Sequence, residues 1–412
     1  MAVHIAAQAA ETLLVRQPIF NRQMKVFAYQ LLYQNNTIKN LSPTNKDHTQ
    51  AICKILINAL ATSSKYDMCI DFPIFISVTN ELLASEHLLS LPPEQVIFDI
   101  SDPLILDSAM LNALKHYQKH QFRFAIHLDL VDDNPLAALA WVDYIRINVD
   151  NMASLNQQLQ YLKRKNHNAK IIAQNIDTQE QLAQCRALDI DLLQGHFLCR
   201  PCIIEGHSLN FSQISCLRLI GELESNDITP ARIAELLSQS PQLSFKLLRL
   251  INSATYELSR TIDSLREAVI YLGIDVICHW ASLMVLTESS DKPKALVMST
   301  LVRAKMAELL AKETRTSVPD QAFLVGLFST IDAMLDIQMQ QALKLLPLSE
   351  EINQALLNHQ GPLGQLLYTA ISYEQGQFDQ AKQAIDLPGY RLFIAYGEAV
   401  LWTKGVLAQL FD

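Results

Sequence analysis

Phe122-Arg123-Phe124-Ala125-Ile126-His127-Leu128-Asp129-Leu130 is a half-apolar run of strand character. Val131-Asp132-Asp133-Asn134-Pro135 closes it, and Val142-Asp143-Tyr144-Ile145-Arg146-Ile147-Asn148 begins the next strand. Outward from this pair, strand patterns lie at 13–15, 25–33, 74–79, 96–100, 122–130, 144–148, 170–174 and 191–198. Amphipathic segments at 49–62, 108–120, 152–165 and 179–188 separate them. Strands that alternate with helices specify an α/β fold with a largely parallel sheet. Eight strand signals suit a closed barrel better than a short open sheet.

Beyond Ile204-Glu205-Gly206-His207-Ser208 the strand signal stops. Thr229-Pro230 and Ser240-Pro241 each place a hydroxyl before a proline suited to the first helical position. Ser264-Leu265-Arg266-Glu267 matches a capping box, Gly273 ends that helix, and Asp275 is a candidate cap for the next. Further helices are expected at 295–312, 320–336, 350–358, 361–375 and 388–409. The change of pattern predicts two domains, 1–204 and 205–412, with the boundary near 203–210.

At 412 residues the chain is long enough for two cores. Half of it is hydrophobic, 18% is charged and only 11 residues are Gly, which excludes a disordered protein. A net charge of -9 without a basic patch argues against nucleic acid. No apolar stretch approaches the roughly 20 residues of a membrane helix. The start of the chain lacks the basic and apolar regions of a signal peptide, and the seven cysteines are scattered and odd in number. These features predict a cytoplasmic protein without membrane insertion. Cys199-Arg200-Pro201-Cys202 has CxxC spacing but no second pair, and His116 and His120 are i,i+4 neighbours without a third ligand.

In order and spacing, residues 1–204 resemble an EAL domain, the barrel that hydrolyses the bacterial messenger cyclic di-GMP. The opening Val15-Arg16-Gln17-Pro18-Ile19-Phe20 is similar to the family's start. Glu-Ala-Leu-x-Arg falls on Gln30-Leu31-Leu32-Tyr33-Gln34. The resemblance places the family's metal-binding glutamate at Gln30 and its phosphate-gripping arginine at Gln34. It places the asparagine ligand at Ser77, and Thr-Glu at Ser101-Asp102. The paired aspartates fall at His127 and Leu128, the lysine at Arg146, and Ala-Glu at Ala173-Gln174. Asp177-Thr178 stands for the family's Glu-Thr, while Gln194-Gly195 and Pro201 are kept.

A two-metal hydrolase needs hard anionic oxygens to hold its cations and activate water. Gln30, Gln174, His127 and Leu128 remove about four negative charges from that set, and Arg146 stays protonated where a lysine could accept a proton. A shift of the alignment by one would bring Asp129 opposite the second aspartate. It would also turn every side chain of the strand to its other face, so the unshifted register is preferred.

Residues 205–412 resemble an HDOD domain, an all-helical relative of HD-type phosphohydrolases. Ser240 to Ala254, Ile262 to Gly273 and Ala322 to Phe328 carry this likeness. The His-Asp position of the true hydrolases reads Ser329-Thr330, which cannot bind their metal. The expected fold is therefore a TIM-like (β/α) barrel followed by an all-helical domain. The expected protein is a catalytically inactive signalling adaptor with no cofactor or metal. It would act by protein contact in cyclic di-GMP-related control of motility or surface attachment. A non-hydrolysing cyclic di-GMP receptor and a residual phosphodiesterase are the alternatives. Other signalling proteins, or a second copy of the chain, are the expected partners. The late aromatics Phe393, Tyr396 and Trp402 do not share one helical stripe. Either they all pack the core, or Trp402 marks a partner-facing patch.

Overall fold

The structure is a computed structural model. It describes residues 12–35, 72–84, 87–100, 108–128, 141–149, 152–164, 168–188, 190–196, 211–225, 227–238, 241–252, 262, 264–288, 292–315, 318–346 and 348–411. They fall into two compact units, one up to Phe197 and one from Leu198. The expected boundary at 203–210 lies outside the described residues, as do Cys199, Cys202 and the helix expected at 49–62.

The first unit is a closed barrel of β1 (Thr12–Asn21), β2 (Val26–Asn35), β3 (Ile74–Val78), β4 (Val96–Ile100), β5 (Arg123–His127), β6 (Tyr144–Asn148), β7 (Lys170–Gln174) and β8 (Leu192–Gln194), in that order. From β2 to β8 each neighbouring pair is parallel, whereas β1 is antiparallel to both β2 and β8. The helices Asn80–Ala84, Ser108–Lys119, Met152–Arg164 and Gln179–Ala187 follow β3, β4, β6 and β7.

β1 is much longer than the 13–15 read from sequence, because its hairpin with β2 carries it through Pro18. Asn21 Oδ1 accepts from Lys25 N at 3.0 Å and Met24 takes φ 60°, so the turn is tight. Along β1, β8 pairs only with Ile19, Phe20 and Asn21. Pro18 therefore lies where no β8 residue asks for its missing N–H. β5 and β8 end earlier than expected, at His127 and Gln194.

One apolar residue from each strand closes the barrel's interior: Ile19, Ala28, Phe75, Ile97, Ala125, Tyr144, Ile172 and Leu192 form a single buried cluster. Phe75 and Tyr144 meet edge to face within it, centroids 5.1 Å apart. At Gly195, just past β8, an added Cβ would lie 2.0 Å from the Ile176 carbonyl oxygen. A side chain there would push apart the strand ends that Ile176 N and Gln194 O join at 3.1 Å.

Every described element of the second unit is a helix. Its axis is Lys294–Thr314, with Leu296, Leu301, Ala304, Ala307 and Leu310 buried on several sides. It packs against Pro319–Phe328, Gly361–Glu374 and Gly389–Phe411, so its apolar residues are shared among three neighbours while charges such as Lys312 and Glu313 stay at its end. Thr229 Oγ1 accepts from Arg232 N at 3.3 Å, and Ser264 Oγ from Glu267 N at 3.1 Å.

Two expectations need correction. Asp275 sits in the first turn of Ile274–Glu288 and is not its cap, because the helix resumes at once after Gly273. The helix expected over 320–336 is two, Pro319–Phe328 and Ile331–Leu335. Ser329 Oγ donates back to Gly326 O at 2.7 Å and Thr330 leaves the helical region at φ -124°, ψ 13°, the competition with the backbone that hydroxyl side chains offer. Trp402 packs inward, its ring 5.7 Å from Trp280 and 5.9 Å from Phe323, while Tyr396 lies 5.1 Å from Tyr373. No described helix is long and apolar enough to cross a membrane.

Candidate functional site

Side chains two residues apart on a strand share a face. From the apolar cluster, a two-residue step toward the C-terminal ends of β2–β8, and toward the N-terminus on antiparallel β1, gives Gln17, Gln30, Ser77, Asp99, His127, Arg146, Gln174 and Gln194. One mouth of the barrel is therefore a ring of polar residues, one per strand, above an apolar floor.

Arg146 is the hub of this ring. Its Nη1 donates to Gln194 Oε1 at 2.7 Å and to Gln30 Oε1 and Gln174 Oε1 at 3.3 Å each. Its Nε lies 3.1 Å from Asp99 Oδ2, an ion pair whose alignment falls short of a hydrogen bond. Below it, the guanidinium carbon stands 5.2 Å from the centre of the Phe75 ring, close enough for cation–π attraction. Gln194 Nε2 donates to Gln30 Oε1 at 2.6 Å and to Gln17 Oε1 at 2.9 Å. Gln30 Nε2 reaches Asp99 Oδ2 at 3.4 Å.

His127 closes the other side. Its Nδ1 is 3.2 Å from Gln174 Nε2, and its Nε2 is 3.4 Å from Asp99 Oδ1. An amide nitrogen can only donate, so Nδ1 accepts and the ring proton sits on Nε2, facing Asp99. Arg146 is 1% exposed and Asp99 is fully buried. Burial would raise the Asp99 carboxyl, but the charge of Arg146 and the contact with His127 outweigh it and hold the group below the ordinary carboxylate range. Burial pushes the Arg146 guanidinium down and Asp99 opposes this; it remains a cation. Nη2 of Arg146 has no hydrogen-bond partner among the described residues.

This donor set does not fit a pair of divalent metal ions. Among the described residues its one carboxylate is already engaged by a guanidinium, and the oxygens of Gln30, Gln174 and Gln194 point at that guanidinium as well. Among the described residues no three His, Cys, Asp or Glu side chains converge on a metal-sized site.

Of the residues singled out from sequence, the structure brings Gln30, His127, Arg146, Gln174 and Gln194 into direct contact. Ser77 stands beside Asp99 in the β3–β4 register, half-buried, without a hydrogen bond into the ring among the described residues. Leu128 follows the end of β5 and is no part of the ring. Gln34 is within β2 but its side chain is not described, and Asp102 and Asp129 lie outside the described residues. Sequence reasoning missed Asp99 and Gln17. Asp99 had a signal, a lone acid in the otherwise apolar strand Val96–Ile100; Gln17 had one only once β1 was known to extend past Val15.

The second position of interest also holds an arginine. Arg303, 6% exposed, donates through Nη1 to Ser329 Oγ at 3.1 Å and through Nε and Nη2 to Glu374 Oε2 at 3.0 and 2.8 Å. The Thr300 and Thr330 hydroxyls share a hydrogen bond of 2.6 Å, fully buried. His116 and His120 sit with ring centres 4.7 Å apart, and His120 Nδ1 bonds the His116 carbonyl at 2.9 Å, so one ring satisfies local backbone.

Residues 213–359 match the HDOD domain family. The YuxH protein of Bacillus subtilis (strain 168) is 27% identical over 402 residues, covering 95% of this chain and 98% of its own. The cyclic di-GMP phosphodiesterase CdgJ of Vibrio cholerae serotype O1 is 28% identical over 382 residues, covering 90% of this chain and 87% of its own. The chain is thus related along most of its length to these two proteins. Among solved structures, an EAL domain protein from Listeria monocytogenes EGD-e aligns with 48% of this chain and 92% of its own at 14% identity, with a TM-score of 0.37.

Proposed function

We propose that the chain is a signalling adaptor whose barrel has exchanged hydrolysis of cyclic di-GMP for a fixed internal cation, and that it acts through protein contact in control linked to that messenger, such as motility or surface attachment. Arg146 carries this reading. At the positions where the EAL resemblance places metal ligands and a proton acceptor, the guanidinium takes up the oxygens of Gln30, Gln174 and Gln194 and the charge of Asp99. A metal would have to compete with a covalently attached cation for ligands that are mostly neutral amides. Kinship with CdgJ supports the link to the messenger, and Ser329-Thr330 with Arg303 supports a helical half without HD chemistry.

The test is hydrolysis of cyclic di-GMP by the purified chain with magnesium or manganese. No turnover above a protein-free blank is expected, and Gln30→Glu alone should not restore it, since Arg146 would take the new carboxylate as a partner. Turnover that vanishes in Asp99→Ala would overturn the proposal. One observation favours a second reading, binding without hydrolysis: the buried Nη2 of Arg146 is a charged donor without a partner among the described residues. Calorimetric titration with cyclic di-GMP separates the two, because saturable heat without turnover supports the receptor.

A further inference from the structure

The helical unit holds a cavity of about 520 Å³ that has no counterpart in either position discussed above. Three acids line it from three directions. Glu224 follows the C-terminal end of Phe211–Leu223, Asp275 is in the first turn of Ile274–Glu288, and Asp320 is in the first turn of Pro319–Phe328. None of the lining residues is Lys or Arg. Lys312, whose charge reaches Asp320, is hydrogen-bonded to Glu308.

The two first-turn aspartates have a structural reason, since acids there complement the helix dipole. Glu224 has none. It sits at the end of a helix where the carbonyls make the field negative, and Ser282 Oγ supplies its one side-chain hydrogen bond among the described residues, at 3.0 Å. Burial pushes its carboxyl up to about 7, with Asp275 adding to the rise and the Ser282 bond opposing it.

A second observation is independent of the acids. His279 lines the cavity and is 8% exposed, with Phe323 stacked against it at 5.6 Å and 22°. Its ring nitrogens make no hydrogen bond among the described residues, although a buried imidazole ordinarily finds one. Burial brings it down to about 4 despite the acids Asp275 and Glu308, so at neutral pH it offers an acceptor and adds no positive charge to the cavity. The acids and His279 do not converge closely enough for a metal ion, whereas 520 Å³ is the size of a small-molecule site. Ile228 and Leu324 give it apolar wall.

We propose that this cavity binds a small aliphatic amine or guanidine. The charged head meets Glu224 and the Asp275 and Asp320 carboxylates, an N–H donates to His279, and the alkyl chain lies along Ile228 and Leu324.

Isothermal titration of the full chain at neutral pH and physiological salt tests this with agmatine, spermidine and butylguanidine. Butylurea serves as the uncharged match, and a short Lys/Arg peptide as the same chemistry carried on a protein. At least one small cation should bind saturably with one-to-one stoichiometry, and butylurea should not. Glu224→Gln and Asp320→Asn should each weaken binding roughly tenfold, the loss of one charge-assisted hydrogen bond. Asp320 is exposed, so its variant reads the site even if Glu224→Gln fails to fold. Absence of saturable heat from every small cation overturns the proposal. Affinity unchanged in both variants also overturns it, as does tighter binding of the peptide than of any free amine.

Discussion

Arg146 shows how one side chain can take over a barrel's interior. Desolvating a guanidinium costs several kcal/mol, recovered only when charge and acceptors surround it closely. Asp99 supplies the charge, and three carboxamides supply oxygens at 2.7–3.3 Å. Removing one partner leaves the other buried and uncompensated. Arg146→Met or Asp99→Asn alone should therefore destabilise the barrel by about 3–5 kcal/mol, and the double variant by clearly less than the sum. Urea unfolding of the four proteins in this cycle measures the coupling; simple additivity would show that the pair is not the unit of stability described. Six ring members, Gln30, Ser77, His127, Arg146, Gln174 and Gln194, were legible in the sequence because the EAL resemblance marks one position on each of their strands. Asp99 is a lone acid in an apolar strand, and its place in the ring follows from the face it shares with Ile97 and the register that sets it beside Ser77 and Ala125.

At the scale of elements, β4, β6 and β7 and the helix Glu350–Asn358 fall on their expected bounds. Their limits are written locally, in turn residues and caps such as Ser349, whose Oγ accepts from Ile352 N at 3.4 Å. β1 was not legible because its hairpin partner β2 sets its length, and the break at Ser329-Thr330 was not because partners distant in sequence, Thr300 and Arg303, decide it. The same long-range logic governs Gly326. An added Cβ there would meet Ala304 Cα at 2.4 Å and Ala304 N at 2.7 Å, on the neighbouring helix Lys294–Thr314. Those are backbone atoms and cannot step aside. Gly326→Ala should cost about 1–3 kcal/mol or more through helix separation, seen as a lower melting temperature for the helical unit with the barrel's transition unchanged. An unshifted melt would mean that the two helices can part freely.

For the whole molecule, each unit closes its own core, so the division expected near 203–210 should be a place to cut. Limited proteolysis should release two fragments of about 200 residues that both persist, the usual behaviour of domains joined by a linker. Rapid loss of either fragment after the first cut would show that it depends on the other. Both units also bury an arginine, Arg146 in one and Arg303 in the other. Proteins built around a bound metal exist in filled and empty forms, and the ratio follows the cell's ion supply. Here the charge at the centre of each unit is made by the ribosome as part of the chain. On the function proposed above, every copy would be complete when it folds, chelation would leave those centres unchanged, and the number of molecules made would replace ion supply as the quantity a cell can adjust.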